Sequence, residues 1–133
     1  MILHKSKYVE IIYEQENSLI IDKFLPATKD MKQDEFRKEM NIFVEMCEKY
    51  KPANELVHLL DMKYVIAVKD QEWMNKEIFP RYENMIKRMA FFVPTELFAQ
   101  VSVEQTMDEE AGQKFVQQYF ESEDEARKWL MEN

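Results

Sequence analysis

Two kinds of hydrophobic pattern alternate along this chain, and their succession limits the folds it can form. Residues 8–13 (YVEIIY) and 19–24 (LIIDKF) are rich in β-branched and aromatic residues and are separated by a polar turn, which predicts a β-hairpin. Between Phe36 and Cys47, apolar residues recur at the spacing of one helix face, and Asp30 is a candidate N-cap for this helix. The first third of the chain therefore predicts two strands followed by a helix.

Three further segments have the character of strands. Residues 56–61 (LVHLLD) are nearly all apolar, which is typical of a central strand that is covered on both faces. Residues 89–93 (MAFFV) predict the next buried strand, and residues 115–120 (FVQQYF) predict the last one. Together with the hairpin, these segments predict a sheet of five strands.

Helical patterns separate and follow these strands. Asp70 can cap a helix that Pro80 should kink or split, since proline lacks a backbone donor and clashes with the preceding turn. Thr95 is a candidate N-cap for a helix that ends near Gly112, and Ser122 opens a capping box before the last helix. The element order ββαβαβαβα predicts an α/β fold, a mixed five-stranded sheet flanked by about four helices.

Length and charge indicate one domain and narrow the range of partners. The chain has 133 residues, of which 46% are hydrophobic, so residues 1–133 can form a single domain with its own core. The formal charge of −8 disfavours phosphate backbones and anionic lipid surfaces. We therefore expect neither a nucleic acid partner nor a membrane partner.

The few cysteine and glycine residues exclude several kinds of covalent link and binding site. Cys47 is the only cysteine, so an intramolecular disulfide and a multi-cysteine metal site are excluded. The N-terminal apolar run is too short for a secretory signal and no stretch is long enough to span a membrane, so we expect a cytoplasmic protein. Gly112 is the only glycine, which excludes glycine-rich phosphate loops and the cofactors they hold. We expect no cofactor and no metal.

Two residues near the predicted central strand, His58 and Asp61, have side chains of the kinds used in binding and catalysis. His58 shares a strand face with Leu56 and Leu60, whereas Asp61 falls on the opposite face, so the two are not expected to pair. We interpret His58 as a buried neutral imidazole. Asp61 ends the strand, where ligands bind in open α/β sheets, although it can equally cap the following turn.

The segment that follows, residues 62–69 (MKYVIAVK), is unusually apolar for a connection. It can cover the core, which we favour, or it can form a pocket wall or a contact patch for another chain. In the pocket interpretation, a small apolar ligand binds among five side chains, namely Asp61, Tyr64, Ile66, Trp73 and Phe79.

Four stretches of the chain together resemble a known family. They are residues 59–61 (LLD), 70–81 (DQEWMNKEIFPR), 90–94 (AFFVP) and 119–130 (YFESEDEARKWL). They resemble the SpoIIAA-like, or STAS and SEC14-like, small bacterial domains, several of which look like products of Bacteroidetes-type bacteria. The resemblance extends over nearly the whole chain in element order.

The resemblance implies a non-enzymatic regulatory or ligand-sensing module. Signalling members carry a phosphorylated serine or threonine at the start of the helix after the central strand. The matching stretch here, residues 62–73, has neither residue, so the phosphorylation switch of anti-sigma-factor antagonists is not expected to operate.

Three functional hypotheses remain, in descending order. The first is a non-catalytic regulatory or protein-interaction module, with a protein partner or self-association as a homodimer. The second is a domain that binds a small molecule or lipid in an apolar pocket near Asp61 and Trp73. The third is an enzyme in which Asp61 acts with another acid such as Glu77 or Glu104, and we rank it lowest because no sequence feature indicates a substrate.

Overall fold

A computed structural model describes residues 1–98 and 116–132 of the chain. In this part the strands form one mixed sheet in the order β1-β2-β3-β4-β5-β6. Their bounds are β1 (Ile2–Lys5), β2 (Val9–Glu14), β3 (Leu19–Phe24), β4 (Asn54–His58), β5 (Arg88–Phe92) and β6 (Val116–Phe120).

Helices connect or follow the strands. The α-helices of the described residues include α1 (Gln33–Tyr50), α2 (Val68–Trp73), α3 (Phe79–Tyr82) and α4 (Glu123–Leu130). A π-helical segment, Met74–Ile78, joins α2 to α3, and short 3₁₀ helices lie at Gln15–Asn17 and Pro26–Asp30. Residues 95–98 are also helical.

Strand pairing divides the sheet into an antiparallel and a parallel half. The pairs β1–β2 and β2–β3 are antiparallel, whereas β3–β4, β4–β5 and β5–β6 are parallel. The general expectation of an α/β fold with a mixed sheet is therefore confirmed. Parallel neighbours need a crossover connection, and the helical segments after β3 and β4 supply two of them.

Within residues 1–98 and 116–132 the sheet has six strands rather than the expected five, because the N-terminal residues also form a strand. β1 pairs along β2, and the backbone N–H of Tyr13 donates to the carbonyl of Met1 at 2.8 Å. His4 Nε2 also lies 3.0 Å from Glu39 Oε2 on α1. These contacts with distant residues hold a segment too short to show a strand pattern by itself.

Helix α1 starts later than the sequence indicates. Asp30 ends a 3₁₀ helix instead of capping α1, and Lys32 is the residue before the first turn. The Glu35 carboxylate accepts a hydrogen bond of 2.9 Å from the backbone of Lys32, so an acid inside the helix satisfies this amide. The helix ends at Tyr50, and its C-cap, Lys51, has a φ of 51° in the left-handed region.

Alternation along the strands gives the sheet two buried faces. On one, which we call the α1 face, strand residues such as Ile11, Ile20 and Val57 pack with α1 and the helical residues 68–82. On the other, the α4 face, Leu19, Ile21, Leu56, Ala90 and Phe92 pack against Ala126 and Leu130 of α4. Ser122 caps α4 as the sequence indicates, since its hydroxyl accepts from the backbone of Glu125 at 3.3 Å.

The end of the central strand and the start of the helix after β5 differ from the predictions, and two further predictions concern residues outside the described part of the chain. The central strand ends at His58 instead of Asp61, and Thr95 lies inside a helix whose Phe98 amide bonds to Pro94. The predictions for Gly112 and Glu104 concern residues outside the described part of the chain. Within residues 1–98 and 116–132, no helix combines the length and the apolar character that a membrane span requires.

Candidate functional site

A cavity of about 530 Å³ lies between the α1 face of the sheet and the helices that cover it. Its walls are mainly apolar, and the strand side includes Phe24, Val57, Met89 and Phe91. The helical side includes Phe36, Met40, Phe43, Met74, Ile78 and Phe79. This volume lies within the range of small-molecule pockets, about 300–1,000 Å³.

Two acidic side chains, Asp22 and Glu55, also line this cavity. In the parallel pairing of β3 and β4, Ile20 is opposite Glu55 and Asp22 is opposite Val57. Side chains two residues apart share a strand face, so both acids lie on the α1 face at diagonal positions. The charge of Asp22 also acts directly on Glu55, so the two side chains are neighbours in the cavity wall.

Both acids are almost completely shielded from solvent. The exposed fraction is 3% for each of Asp22 and Glu55. Within the described parts of the chain, Oδ1 of Asp22 and Oε1 of Glu55 have no hydrogen-bond partner. A buried acceptor without a partner costs about 1–3 kcal/mol, so such groups are rare in folded proteins unless they have a task.

Burial keeps these acids in their neutral form at neutral pH. Desolvation, with a smaller contribution from the Glu39 carboxylate, raises the pKa of Asp22 to about 8. Desolvation and the proximity of Asp22 also raise the pKa of Glu55 well above its usual value. Carboxyl groups with pKa values raised in this way are common at functional sites.

Neighbouring side chains reinforce this environment. The hydroxyl of Tyr82 hydrogen-bonds to the Glu55 side chain, and the Tyr82 pKa is raised by burial and by Glu55. Burial also raises the pKa of Cys47, so this thiol on the apolar face of α1 is an inert core group, as the sequence indicates. Among the described residues that line the cavity there is no lysine, arginine or histidine.

The helical wall of the cavity contains an irregular turn. The backbone N–H of Phe79 bonds to the carbonyl of Met74, five residues back, as in a π-helix. Pro80 is the second residue of α3, so the helix continues through it without a split, and the irregularity is the π-helical turn that precedes it. Met74, Asn75 and Ile78 from this turn line the cavity, and π-helical turns occur frequently at functional sites.

Of the five ligand-binding residues proposed from the sequence, two line the cavity. They are Ile66 and Phe79. Trp73 is not part of the cavity wall; the Arg37 guanidinium lies over its indole ring, 5.2 Å from the centroid. Asp61 and Tyr64 are not part of the wall either. The cavity is therefore displaced from the position that the sequence indicates, toward the middle of the sheet.

Tyr64 instead anchors the connecting segment to the core. Its ring stacks on Phe36 with 4.9 Å between centroids, and its hydroxyl donates to Asp70 Oδ2 at 2.7 Å. Asp70 also accepts from the backbone of Ala67 and from Gln33, and its pKa is lowered because these hydrogen bonds outweigh its desolvation. Asp70 is therefore the third residue of α2, where its side chain accepts from the backbone of Ala67, and it is not the N-cap.

Residues of the segment 62–69 lie in different surroundings. Tyr64 packs against the core and Ile66 forms part of the pocket wall. Val65 and Val68 are 85% and 69% exposed, and the contact patch stays a prediction. The apolar character of the segment thus has different causes at neighbouring positions.

Strand alternation does not separate Asp61 from His58 in the way that the sequence pattern predicts. The strand ends at His58, so the alternation on which their separation rests does not extend to Asp61, which lies in the next turn. Burial lowers the pKa of His58, while the carboxylates of Glu123 and Asp61 oppose this effect. His58 Nε2 lies 3.3 Å from Glu123 Oε1 on α4. The imidazole is therefore buried beside an acidic neighbour on the last helix.

Sequence reasoning overlooked both acids of the cavity, although a signal exists. In LIIDKF, Asp22 has the same parity as Ile20 and Phe24, and in NELVH, Glu55 has the same parity as Val57. An acidic residue on the inward parity of a strand is a buried polar group, which is a stronger functional signal than an acid at a strand end. The described residues contain no group of three or more His, Cys, Asp or Glu side chains placed to hold a metal ion.

Comparisons of the chain with models of protein families, with curated proteins and with solved structures give no match.

Proposed function

We propose that this chain is a non-catalytic regulatory module that binds a small, largely apolar molecule in the cavity on the α1 face. The observation that carries the proposal is a cavity of about 530 Å³ with mainly apolar walls and two buried carboxyl groups, Asp22 and Glu55, each of which keeps one oxygen without a partner among the described residues. Apolar walls supply affinity, and a few converging polar groups orient the ligand. This is the second of the functions inferred from the sequence, at a different position.

The charge distribution favours binding over catalysis. Reactions that develop negative charge need donors or cations at the reacting centre, and the described wall of the cavity carries no cationic side chain. The two acids of the cavity are acceptors when ionised, and they are shielded from solvent. A site of this kind is suited to holding the donor group of a ligand.

A regulatory role is supported by the rim of the cavity. Ile66 contacts the cavity, while its neighbours Val65 and Val68 are exposed. A bound ligand that packs against Ile66 would restrict this part of residues 62–67, which have no regular secondary structure. Occupancy of the cavity is thereby transmitted to an exposed apolar surface. The SpoIIAA-like resemblance, with its ligand-sensing members, agrees with this role, and a protein partner or self-association stays a prediction.

The binding proposal is tested by filling the cavity from its rim. Asn75 is exposed and lines the cavity, whereas the next residue, Lys76, is exposed and does not line it. Nile red, an uncharged apolar dye, should bind the wild-type chain with enhanced fluorescence. Asn75→Trp should weaken this binding at least about tenfold, because the indole occupies the space of the dye.

Lys76→Trp is the matched control and should bind the dye within about twofold of the wild type. Circular dichroism of both variants establishes that they fold. Equal binding by the wild type and Asn75→Trp, or no saturable binding by the wild type, would contradict the proposal. Hydrogen exchange of residues 62–67, with and without bound dye, measures whether the rim responds to occupancy; unchanged exchange would contradict the regulatory part.

A further inference from the structure

Two unpartnered acceptors in an otherwise apolar cavity indicate which polar group the ligand carries. Asp22 Oδ1 and Glu55 Oε1 are within the wall, and no hydrogen-bond partner for either lies in residues 1–98 or 116–132. While protonated, each acid can also donate to a ligand acceptor, but a ligand carboxylate or phosphate would bury a further negative charge in a cavity whose described wall has no cationic side chain. A ligand with several donors on one atom can satisfy both.

We infer that the cavity binds a primary alkyl or arylalkyl amine, with its ammonium group between Asp22 and Glu55 and its apolar body against the aromatic and methionine side chains. This inference rests on the proposed binding function and names the class of ligand. An ammonium has three donors and can therefore reach two acids at diagonal positions on neighbouring strands. Hydrogen bonds between charged groups are about twice as strong as those between neutral groups.

The surroundings of Asp22 favour a cation from every direction. Helix α1 presents Glu39 and the thiol of Cys47, α3 presents Tyr82, and β4 presents Glu55. On β2 the register partner of Asp22 is the apolar Ile11, and Tyr119 of β6 lines the cavity. None of these groups is a cation, so a ligand ammonium meets no like charge at this position. The formal charge of −8 adds a weak attraction over longer distance.

Binding is coupled to the loss of a proton. In the empty cavity Asp22 is protonated below about pH 8, since burial raises its pKa to that value. When the ammonium enters, the Asp22 carboxyl group releases its proton to solvent and the resulting carboxylate pairs with the ammonium. One positive and one negative charge are then buried together, while Glu55 stays protonated. Affinity for the amine should therefore rise with pH between about pH 5 and pH 8.

Three probes of equal size separate this inference from the proposed function. They are phenylbutylamine, phenylbutanol and phenylbutyrate, and calorimetric titration at pH 7 measures their binding. The amine should bind at least about tenfold more tightly than the alcohol, and the acid should not bind. In buffers of different ionisation enthalpy, the measured heat of amine binding should change as expected for release of one proton, whereas the heat of alcohol binding should not.

Variants assign the effect to the cavity acids. Asp22→Asn should reduce amine binding at least about tenfold and leave alcohol binding within about twofold, and Glu55→Gln should reduce amine binding less. Asp61→Asn, which removes a carboxylate outside the cavity wall, is the matched control and should have no effect. The buffer experiment requires no variant, so it remains decisive if Asp22→Asn does not fold.

The outcomes separate the two proposals. Equal binding of amine and alcohol without proton release would overturn the amine inference and leave the binding function intact. Failure of all three probes to bind would count against both. Amine binding that Asp22→Asn and Asp61→Asn reduce equally would place the ammonium elsewhere and overturn the inference.

Discussion

The two faces of the sheet bury similar apolar side chains but differ in the space beside their buried polar groups. On the α4 face, the buried imidazole of His58 has Glu123 Oε1 3.3 Å from its Nε2, whereas its Nδ1 has no hydrogen-bond partner among the described residues. Its ring lies edge-on to Phe92 with 4.8 Å between centroids. On the α1 face, two buried carboxyl groups also keep unpartnered oxygens, but these groups line a cavity of about 530 Å³. Both faces therefore bury polar atoms without partners, and the cavity beside them distinguishes the α1 face.

Helix geometry is a physical reason for the difference. On the α4 face, as far as the described residues show, a regular helix, Glu123–Leu130, packs on the middle strands through Ala126 and Leu130. On the α1 face the covering layer comes from α1 together with a helix that changes from α to π and back within residues 68–82. An irregular helix presents its side chains at uneven spacing, which leaves room between layers.

The comparison predicts first that the α1 face makes the protein less stable as pH rises. The pKa of Asp22 is about 8 in the folded chain and near 4 in the unfolded chain, so the folded state holds a proton that the unfolded state has released. The free energy of unfolding should therefore fall between about pH 4 and pH 8, by as much as about 1.4 kcal/mol for each pH unit, with Glu55 acting in the same direction.

Urea unfolding of the empty protein at pH 5.5 and pH 8.5 measures this fall. Asp22→Asn should remove a large part of it, since an amide does not titrate, and the double variant with Glu55→Gln should remove most of it. Asp61→Asn serves as the control and should retain the full fall. A wild-type stability that is equal at both pH values would show that the two acids are not held neutral by the fold.

The second prediction concerns how tightly each face is packed. Ile21 lies in the α4 face and Ile78 lies in the cavity wall, and both are buried. Ile21→Ala should cost about 3–4 kcal/mol, because it opens a void among packed side chains. Ile78→Ala should cost about 2 kcal/mol, because it enlarges an existing cavity and because alanine is favoured in a helix.

Chemical denaturation at pH 6 compares the two variants, and the matched pair Ile21→Val and Ile78→Val repeats the test with less risk of unfolding. The valine pair should keep the same order at about 1 kcal/mol or less. A larger cost at Ile78 than at Ile21 in both pairs would mean that the cavity wall is as tightly packed as the α4 face.

The sequence predicts the sheet better than it predicts the site. β3 begins and ends where the pattern of residues 19–24 indicates, because turn residues bound a short β-branched run on both sides. β1 escaped recognition because four residues carry too little pattern and depend on pairing with β2 and on the His4–Glu39 contact. A sequence pattern therefore predicts an element well when neighbouring residues bound it, as for β3, and poorly when the element depends on distant contacts, as for β1.

The cavity depends on distances between layers, which no local pattern contains. Asp61 was favoured because ligands in α/β sheets bind beyond strand ends, but the central strand ends three residues earlier, at His58. The acids that line the cavity lie within strands, at inward positions, where the pattern of LIIDKF and NELVH alone marks them as buried. That they adjoin a cavity follows from the packing of α1 and the π-helical segment, which the sequence pattern did not indicate.

The smallest expected effect tests the polar group of the α4 face. Burial lowers the pKa of His58 below its usual value, so the folded state binds a proton less readily than the unfolded state. Its contribution to stability is therefore present above the unfolded pKa, near 6.5, and is lost as pH falls below it. Glu123 and Asp61 oppose the shift, so we expect this to be the smallest of the pH effects.

Unfolding measured at pH 7 and pH 5 should show this loss in the wild type, and His58→Gln should reduce it. His4→Gln is the matched control for a change at the other histidine. As pH falls, the acids of the α1 face increase the free energy of unfolding, whereas His58 decreases it. Asp22→Asn should therefore make the effect of His58 easier to detect. If His58→Gln leaves the pH dependence unchanged in the Asp22→Asn background, the imidazole is not the titrating group of the α4 face, and the contrast between the two faces rests on the acids alone.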